Sequence, residues 1–266
     1  CAGGSTSKKF APIAASTGCI VIDNSSAFRM DNNVPLVVPE VNPEEILKNR
    51  GIIANPNCST IQAVVVLKPL DDAYKIKRIV YSTYQAVSGA GLKALNDYKN
   101  GIKKHLNPLH KYDLEKFDYD IFDNCIPQID TFEDNLYTKE EMKMVNETKK
   151  IFNKDIKVNA TCVRVPVLRG HSESVYIETK KPIDIDKVFE LLNNSTGVEL
   201  YDDIENQIYP MANLFVGDEL VHVGRVRKDL DNPNGLSLWV VADQLMKGAA
   251  YNSVDIGLKM IEMGLI

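Results

Sequence analysis

Cys58 stands between an Asn55-Pro56-Asn57 turn and a largely apolar run that continues to Leu70. A run of that length behind such a turn predicts a buried helix over Cys58–Leu70. Cys58 then falls in the first helical turn, where unpaired N–H groups and the macrodipole favour an anion. A thiol in that position is expected below its ordinary pKa of ~8.5, and the thiolate is the nucleophilic form. The same donors could stabilise an oxyanion beside the sulfur; the alternative is a structural cysteine capped by a turn. A nucleophile of this kind needs an acid/base partner, and only four histidines are available: His105, His110, His171 and His222. His105 and His110 lie in a charged segment and read as solvated, and His222 falls in a strand-like run as a packed or surface residue. His171 follows Arg164 in Arg164-Val165-Pro166-Val167-Leu168-Arg169-Gly170-His171. Seven positions apart, the two would face opposite sides of an unbroken strand. Breaks at Pro166 and Gly170 allow both to turn into one cavity, or leave a turn histidine beside a surface arginine.

Other polar groups fit binding or ordinary structure. Tyr84-Gln85-Ala86-Val87-Ser88-Gly89-Ala90-Gly91 reads as a strand ending in a small-residue turn, of the sort that lets backbone approach a ligand. Glu140 and Lys143, three apart on a predicted helix, read as a solvated ion pair. Arg29 follows a short strand and reads as surface.

The elements that must position these groups fall into two patterns. The first stretch alternates helix and strand: a helix over 8–15, a strand over 19–23, an apolar stretch over 34–38 and a strand over 51–54. Alternation argues a parallel sheet, although no strict G-x-G-x-x-G turn occurs anywhere in the chain. Beyond Cys58, strands are expected over 78–84, 157–163, 174–179, 219–227 and 236–242. Thr138-Lys139-Glu140-Glu141 is a capping box opening a helix to about Phe152. A second helix is expected over 186–193, a loop or insertion over 105–124, and a closing amphipathic helix over 244–266. The fold class is α/β, with an α+β second domain whose sheet is mixed or antiparallel.

Composition narrows the function classes. The 266 residues carry 31 Lys and Arg against 36 Asp and Glu, a net charge of −5, which argues against a nucleic-acid partner. Hydrophobic residues at 44% and charged residues at 25% are those of a packed protein. The longest aliphatic run, Ala63–Leu67, is far short of the roughly 20 residues that span a bilayer. Five scattered cysteines without a CxxC or metal-ligand spacing read as reduced cytosolic thiols, with no metal. The opening Cys-Ala-Gly-Gly-Ser-Thr-Ser fits either a processed lipoprotein or a start within an α/β domain just after a strand. The absence of a long polar tether favours the second.

Taken together the chain resembles the aspartate-β-semialdehyde dehydrogenase family. The resemblance is carried by CAGGSTSKKFAP, VIDNSSAFRMD, VPLVVPEVNPE, GIIANPNCSTIQ, STYQAVSGAG, EEMKMVNETKKI, ATCVRVPVLRGHSESVYIET, VGRVRKDLDNPNG and DQLMKGAAYNSV, spread in the family's order from residue 1 to residue 254. It implies a partial Rossmann-like nucleotide-binding domain over 1–58, a catalytic and dimerisation domain over 59–243, and a C-terminal helix packing back on the first. It also implies NADP-dependent interconversion of aspartate semialdehyde plus phosphate with β-aspartyl phosphate through a cysteine thioester. This is a cytoplasmic step towards lysine, by way of diaminopimelate, and towards threonine, methionine and isoleucine, carried out by a homodimer. By resemblance Cys58 is the nucleophile, His171 the acid/base and Gln85 the group orienting the acyl intermediate. Arg164 clamps the substrate carboxylate and Glu140 meets its ammonium. Arg29, Asn57 and Lys143 correspond to the phosphate set, and Ser88, Gly89 and Gln244 to cofactor contacts. Roughly 70 residues of the usual nucleotide half, with its glycine-rich turn, are expected before the residue matching Cys1. Competing readings are an N-acetyl-γ-glutamyl-phosphate reductase, whose blocked amine would leave Glu140 without a purpose, a silent dimerisation scaffold, and a cysteine hydrolase.

Overall fold

In the computed structural model, residues 3–266 are described; Cys1 and Ala2, and with them the start of the opening turn, lie outside the described residues. Helix α1 runs over Gly4–Ser16. It begins four residues before the sequence predicts, through Ser5, Thr6 and Ser7, residue types of low helix propensity. Ser7 Oγ donates to Asp23 Oδ1 at 2.7 Å, tying the helix to the strand that follows. Strands β1 (Val21–Asp23) and β2 (Ile52–Ala54) pair in parallel, with Val21 opposite Ile52. The apolar stretch between them contributes only a bridge from Leu36 to Ala54, because Pro35 and Pro39 cannot donate to a ladder.

Helix α2 spans Cys58–Tyr74, four residues beyond the predicted end, and is buried on nearly every side. A helix that apolar all round needs partners on more than one face. It contacts α4, α5 and four strands of the larger sheet, and ends at Lys75, whose φ of 60° takes the chain out of the helix. The larger sheet has six strands: β3 (Ile76–Gln85), β4 (Lys157–Arg164), β5 (His171–Thr179), β6 (Val198–Leu200), β7 (Val221–Lys228) and β8 (Gly235–Ala242). Their order is β4-β3-β5-β8-β7-β6. β3–β4 and β6–β7 are parallel, and the other pairs antiparallel. The sheet is therefore mixed, and three-residue β6 is too short to leave a periodic signal.

Helix α3, over Leu92–Leu106, fills the stretch between the small-residue turn and the expected loop, to which sequence reading assigns no element, and takes in the loop's first two residues. Irregular chain follows it, anchored by the buried Asp97, whose carboxylate accepts the backbone N–H groups of Glu115, Lys116 and Phe117 at 2.7–3.0 Å. Helix α4 (Lys139–Phe152) opens on the capping box as expected, and α5 covers Ile185–Asn193. The predicted single closing helix is instead a π-helical turn over Met246–Ala250 followed by α6, Tyr251–Glu262. Ile256 and Met260 of α6 are buried with Val37, Ile46 and Ile53, so the C-terminus packs on the β1–β2 unit. No helix is long and apolar enough to cross a membrane among the described residues.

Candidate active site

Asn57 is the N-cap of α2, and its Oδ1 accepts from the N–H groups of Ser59 at 3.1 Å and Thr60 at 3.3 Å. Cys58 is half-buried in the first turn. Gly248 of the π-helical turn leans on it so closely that a Cβ there would lie 2.8 Å from Cys58 Cβ. Burial pushes the Cys58 thiol up to about 12, with the charge of Glu140 adding to the rise; Arg29, Arg164 and the Ser59 N–H pull the other way. The expected depression of this pKa is thus reversed. Two of the first-turn donors are already engaged by Asn57, and desolvation outweighs the remaining attraction for an anion. The resting group is a thiol.

Arg164 and His171 do not share a broken strand. Arg164 ends β4 and His171 opens β5, and these strands flank β3 on opposite sides. The connecting segment crosses the end of β3, held by Val165 N–H to Gln85 O (3.1 Å), Val87 N–H to Val167 O (2.8 Å) and Ser88 N–H to Leu168 O (3.3 Å). Gly170, at φ 91°, closes that segment where a Cβ would meet Ala212 O at 2.5 Å. Both side chains then fasten to the backbone of one residue: Ala86 N–H donates to His171 Nδ1 at 3.1 Å, and Arg164 Nη1 donates to Ala86 O at 2.6 Å. Their heads are neighbours, since a Cβ on Gly89 would lie 3.1 Å from Arg164 Nη1 and 3.2 Å from His171 Nε2.

The Ala86 contact fixes the tautomer. With Nδ1 accepting, the proton of neutral His171 sits on Nε2, an atom without a hydrogen-bond partner among the described residues. Burial, and to a lesser extent the Arg164 charge, lower the His171 pKa to about 3 against the opposing pull of Asp243. His171 is therefore a neutral donor. Arg164 is 5% exposed and has no ion pair with a carboxylate among the described residues; its nearest negative influence is Glu140.

A second cluster lies around α4. Glu140 Oε1 accepts from Asn57 Nδ2 (2.9 Å) and Gln85 Nε2 (3.2 Å), and Lys143 Nζ donates to Glu140 Oε2 at 3.1 Å. Burial works against the Glu140 charge, but Lys143 and the two amides outweigh it and hold the carboxyl below its usual range. Lys143 also reaches Asp130 at 3.2 Å. Glu140 is buried and Lys143 half-buried, not the solvated face that spacing alone suggests. Gln85 Nε2 also donates to Ser59 Oγ at 2.9 Å, joining the end of β3 to the residue after Cys58. Arg29 is not on the surface either. It is 8% exposed, and donates to Asn55 O at 2.8 Å, Glu147 Oε1 at 3.1 Å and Asn24 O at 3.2 Å. Glu147 Oε2 accepts the Asn57 N–H at 2.6 Å. Burial raises the Glu147 carboxyl, with Arg29 and that N–H opposing.

Ser88, Gly89 and Gln244 close the other side. Gln244 Nε2 donates to Ser88 Oγ at 2.7 Å, and Gln244 Oε1 accepts the Gly170 N–H at 2.9 Å. Asp243, beside Gln244, pairs with Arg169 at 2.8 Å. Every sequence-predicted site residue thus belongs to one connected neighbourhood around the N-terminus of α2. Glu147, Ser59, the Ala86 peptide and Asp243 escape sequence reading. Glu147 alone left a signal, since Glu140, Lys143 and Glu147 recur at three- and four-residue spacing on one helical face.

A cavity of about 230 Å³ opens beside Arg164, lined also by Asp130, Ile129, Ile126 and Ala90. A bigger cavity, about 620 Å³, holds none of the site residues. It lies against Tyr84, Ser172, Ser174 and Trp239, on the sheet face opposite His171 and Glu173. His105 is exposed and His110 half-buried, while His222 is fully buried and stacked on Phe215 with centroids 3.4 Å apart. His222, Glu199 and Asp218 offer ligand atoms within 4.8 Å of one another on the β6–β7 edge, at the far side of the sheet from β4.

Comparison with known proteins agrees with this geometry. The family model "Semialdehyde dehydrogenase, dimerisation domain" matches residues 67–247, and "Semialdehyde dehydrogenase, NAD binding domain" matches residues 1–49. The chain is 54% identical to the aspartate-semialdehyde dehydrogenase of Aquifex aeolicus over 100% of its own length and 79% of that protein. It superposes with a TM-score of 0.95 on aspartate semialdehyde dehydrogenase II from Vibrio cholerae, at 52% identity, covering 98% of this chain and 78% of that one. A second crystal structure of the Vibrio cholerae enzyme, complexed with ASA, matches with the same TM-score at 51% identity, covering 98% of this chain and 78% of that one. The convergence of Cys58, His171 and Arg164 and this likeness over the full length lead to one conclusion: the chain belongs to the aspartate-semialdehyde dehydrogenase family.

Proposed function

We propose that the chain interconverts L-aspartate 4-semialdehyde and phosphate with 4-aspartyl phosphate through a thioester on Cys58, with NADP as hydride carrier. The observation that carries the reading is the backbone of Ala86, which holds an acid through its N–H and a guanidinium through its C=O. Arg164, a buried cation without a carboxylate partner among the described residues, receives the α-carboxylate of the substrate. Glu140, kept ionised by Lys143, meets the ammonium group. These two fixed charges set the aldehyde carbon against the Cys58 sulfur.

Sulfur attack forms a thiohemiacetal, and His171 Nε2–H donates to its oxygen. Because Nδ1 is occupied by the Ala86 N–H, His171 stabilises that oxygen and does not take the proton from Cys58. The thiol proton passes to solvent as the S–C bond forms, and the oxygen, held as an oxyanion by His171 Nε2–H, returns its electron pair to re-form C=O when the hydride leaves. A nicotinamide held against Ser88, Gly89 and Gln244 would supply the hydride acceptor for the thiohemiacetal carbon. Gln85, fixed by Ser59 and Glu140, orients the resulting acyl group. Arg29, Asn57 and Lys143 bring a phosphate oxygen to the thioester carbon; the C–S bond breaks, and the sulfur leaves as thiolate.

The cofactor contacts are Ser88, Gly89 and Gln244. They fit a flat ring: Gly89 has no side chain over His171, and the Ser88–Gln244 hydrogen bond holds the turn in place. A nicotinamide cofactor accords with the nucleotide-binding match over residues 1–49, and the ASA complex of the Vibrio cholerae relative supports a small-molecule substrate. The chain divides near residue 58 into the nucleotide-binding and catalytic parts, and it works as a homodimer. The match over residues 67–247 is to a dimerisation domain and takes in the open sheet face around Trp239. Four free thiols among the described residues suit the cytoplasm.

The test is oxidation of the semialdehyde by NADP⁺ with and without inorganic phosphate. Phosphate-dependent formation of reduced nicotinamide, lost in Cys58→Ala, is the expected result. Turnover that ignores phosphate, or that survives in Cys58→Ala, overturns the reading.

A further inference from the structure

Glu147 lies on α4 one helical turn beyond Lys143 and is 1% exposed. Its two carboxylate oxygens serve different parts of the site: Oε1 takes Arg29 Nη1, and Oε2 takes the N–H of Asn57, the residue before Cys58. Arg29's other partners, Asn55 O and Asn24 O, are neutral carbonyls, so Glu147 is its one charged partner among the described residues. A guanidinium has five N–H donors, and these three bonds use three of them. Two remain for a ligand, on a group whose charge is already balanced.

We infer that Glu147 is a positioning residue: it sets how tightly Arg29 holds phosphate and, through the Asn57 N–H, fixes the turn that carries Cys58. The inference rests on the assignment of Arg29 to the phosphate set. An anion approaching an isolated buried guanidinium would be held strongly. With Glu147 in contact, the anion competes against a carboxylate already there, and it stays exchangeable between turnovers. Glutamine keeps the shape of Glu147 but removes the charge. Arg29 and the Asn57 N–H bind different oxygens of Glu147, and in glutamine one of those positions becomes an NH2 group that cannot accept.

Protection of Cys58 against alkylation by iodoacetamide, followed peptide by peptide at alkaline pH, reads phosphate binding without requiring turnover. Inorganic phosphate is the probe, and the other cysteines are internal references. Phosphate is expected to protect Cys58 in the parent chain, and Arg29→Ala to abolish that protection. Glu147→Gln should lower the half-protecting phosphate concentration by roughly fivefold, the scale of one charge-assisted contact in a partly screened site. Protection lost in Arg29→Ala but with an unchanged or higher half-protecting concentration in Glu147→Gln overturns the inference and leaves Arg29's role standing. No protection in the parent chain overturns the Arg29 assignment and the inference with it. Should Glu147→Gln fail to fold, Glu147→Asp decides. It keeps the charge on a shorter arm, so half-protection should stay within about twofold of the parent, while the unprotected Cys58 alkylation rate shifts because the Asn57 N–H is released. A large change in half-protection with the charge retained, or an unmoved alkylation rate, overturns the inference.

Discussion

Replacing Gly89 by alanine tests the convergence of Arg164 and His171 with a single methyl group. The new Cβ would lie 3.0 Å from His171 Cε1, 3.1 Å from Arg164 Nη1 and 3.2 Å from His171 Nε2. All three are tighter than ordinary van der Waals contact, and neither neighbour is a loose side-chain end. His171 is fully buried and fixed by the Ala86 N–H, and Arg164 is fixed by Ala86 O. Each must give way by a few tenths of an ångström, an overpacking of about 1–3 kcal/mol. If that cost falls on the two groups that hold the substrate, it lowers kcat/KM by roughly tenfold to a hundredfold, at 1.36 kcal/mol per decade. Gly89 is not among the residues with positive φ, so its backbone accepts alanine without strain, and the thermal midpoint should fall only by the several degrees that about 1–3 kcal/mol of overpacking costs. Steady-state kinetics alongside thermal unfolding separates the two effects. A kcat/KM within about twofold of the parent, or a loss of rate that merely follows a loss of folded protein, refutes the argument.

Four further outcomes follow from the same geometry. Arg164→Lys removes the planar fork, and kcat/KM for the semialdehyde should fall by about a hundredfold or more; an effect on the phosphate KM alone would contradict the carboxylate role. Alkylation of Cys58 should accelerate about tenfold per pH unit through the mildly alkaline range, because a thiol raised to about 12 is still far from fully ionised there; a plateau near neutrality would contradict it. His171, held near 3 when folded and ~6.5 when unfolded, binds its proton more readily in the unfolded chain. Its contribution to stability is complete above the unfolded value and is lost as pH falls through the folded one; denaturant titrations of His171→Gln should show a shallower acid decline, and an unaltered one counts against the buried neutral imidazole. Leu67→Ala, at a position 1% exposed in α2, should cost about 2–5 kcal/mol, read from the urea midpoint, and a cost under about 1 kcal/mol would mean the helix is less enclosed than described.

What could be read in advance was local. The Asn57 cap and the Thr138–Glu141 capping box are short-range hydrogen-bond patterns written in consecutive residues, and both helices begin where those residues place them. The mixed sheet followed from strands succeeding one another with few helices between. Arg164 and His171 could not be joined by counting. Their meeting depends on β4 and β5 lying on either side of β3, a long-range pairing that no spacing within the segment encodes. Helix α3 was hidden because its buried face consists of Ala94, Asp97 and Gly101, an unapolar set that gives no stripe. The sign of the Cys58 shift was misjudged because a helix terminus is visible in sequence and desolvation is not. Arg29 was misread as surface for a related reason, since its counter-ion stands 118 positions away.

The backbone of residue 86 has one consequence for how this enzyme can vary. Acid and clamp hang from the N–H and the C=O of one residue, which lie in the two planar peptide groups that meet at its Cα. Changing the side chain at that position leaves both anchors intact, and only proline, which lacks the hydrogen, would sever one of them. Both anchors therefore depend on the same pair of backbone torsions: a change of φ or ψ at residue 86 would turn one plane against the other and alter the angle between the proton donor and the carboxylate grip, so drift at the end of strand β3 would be felt at once by catalysis and by substrate selection.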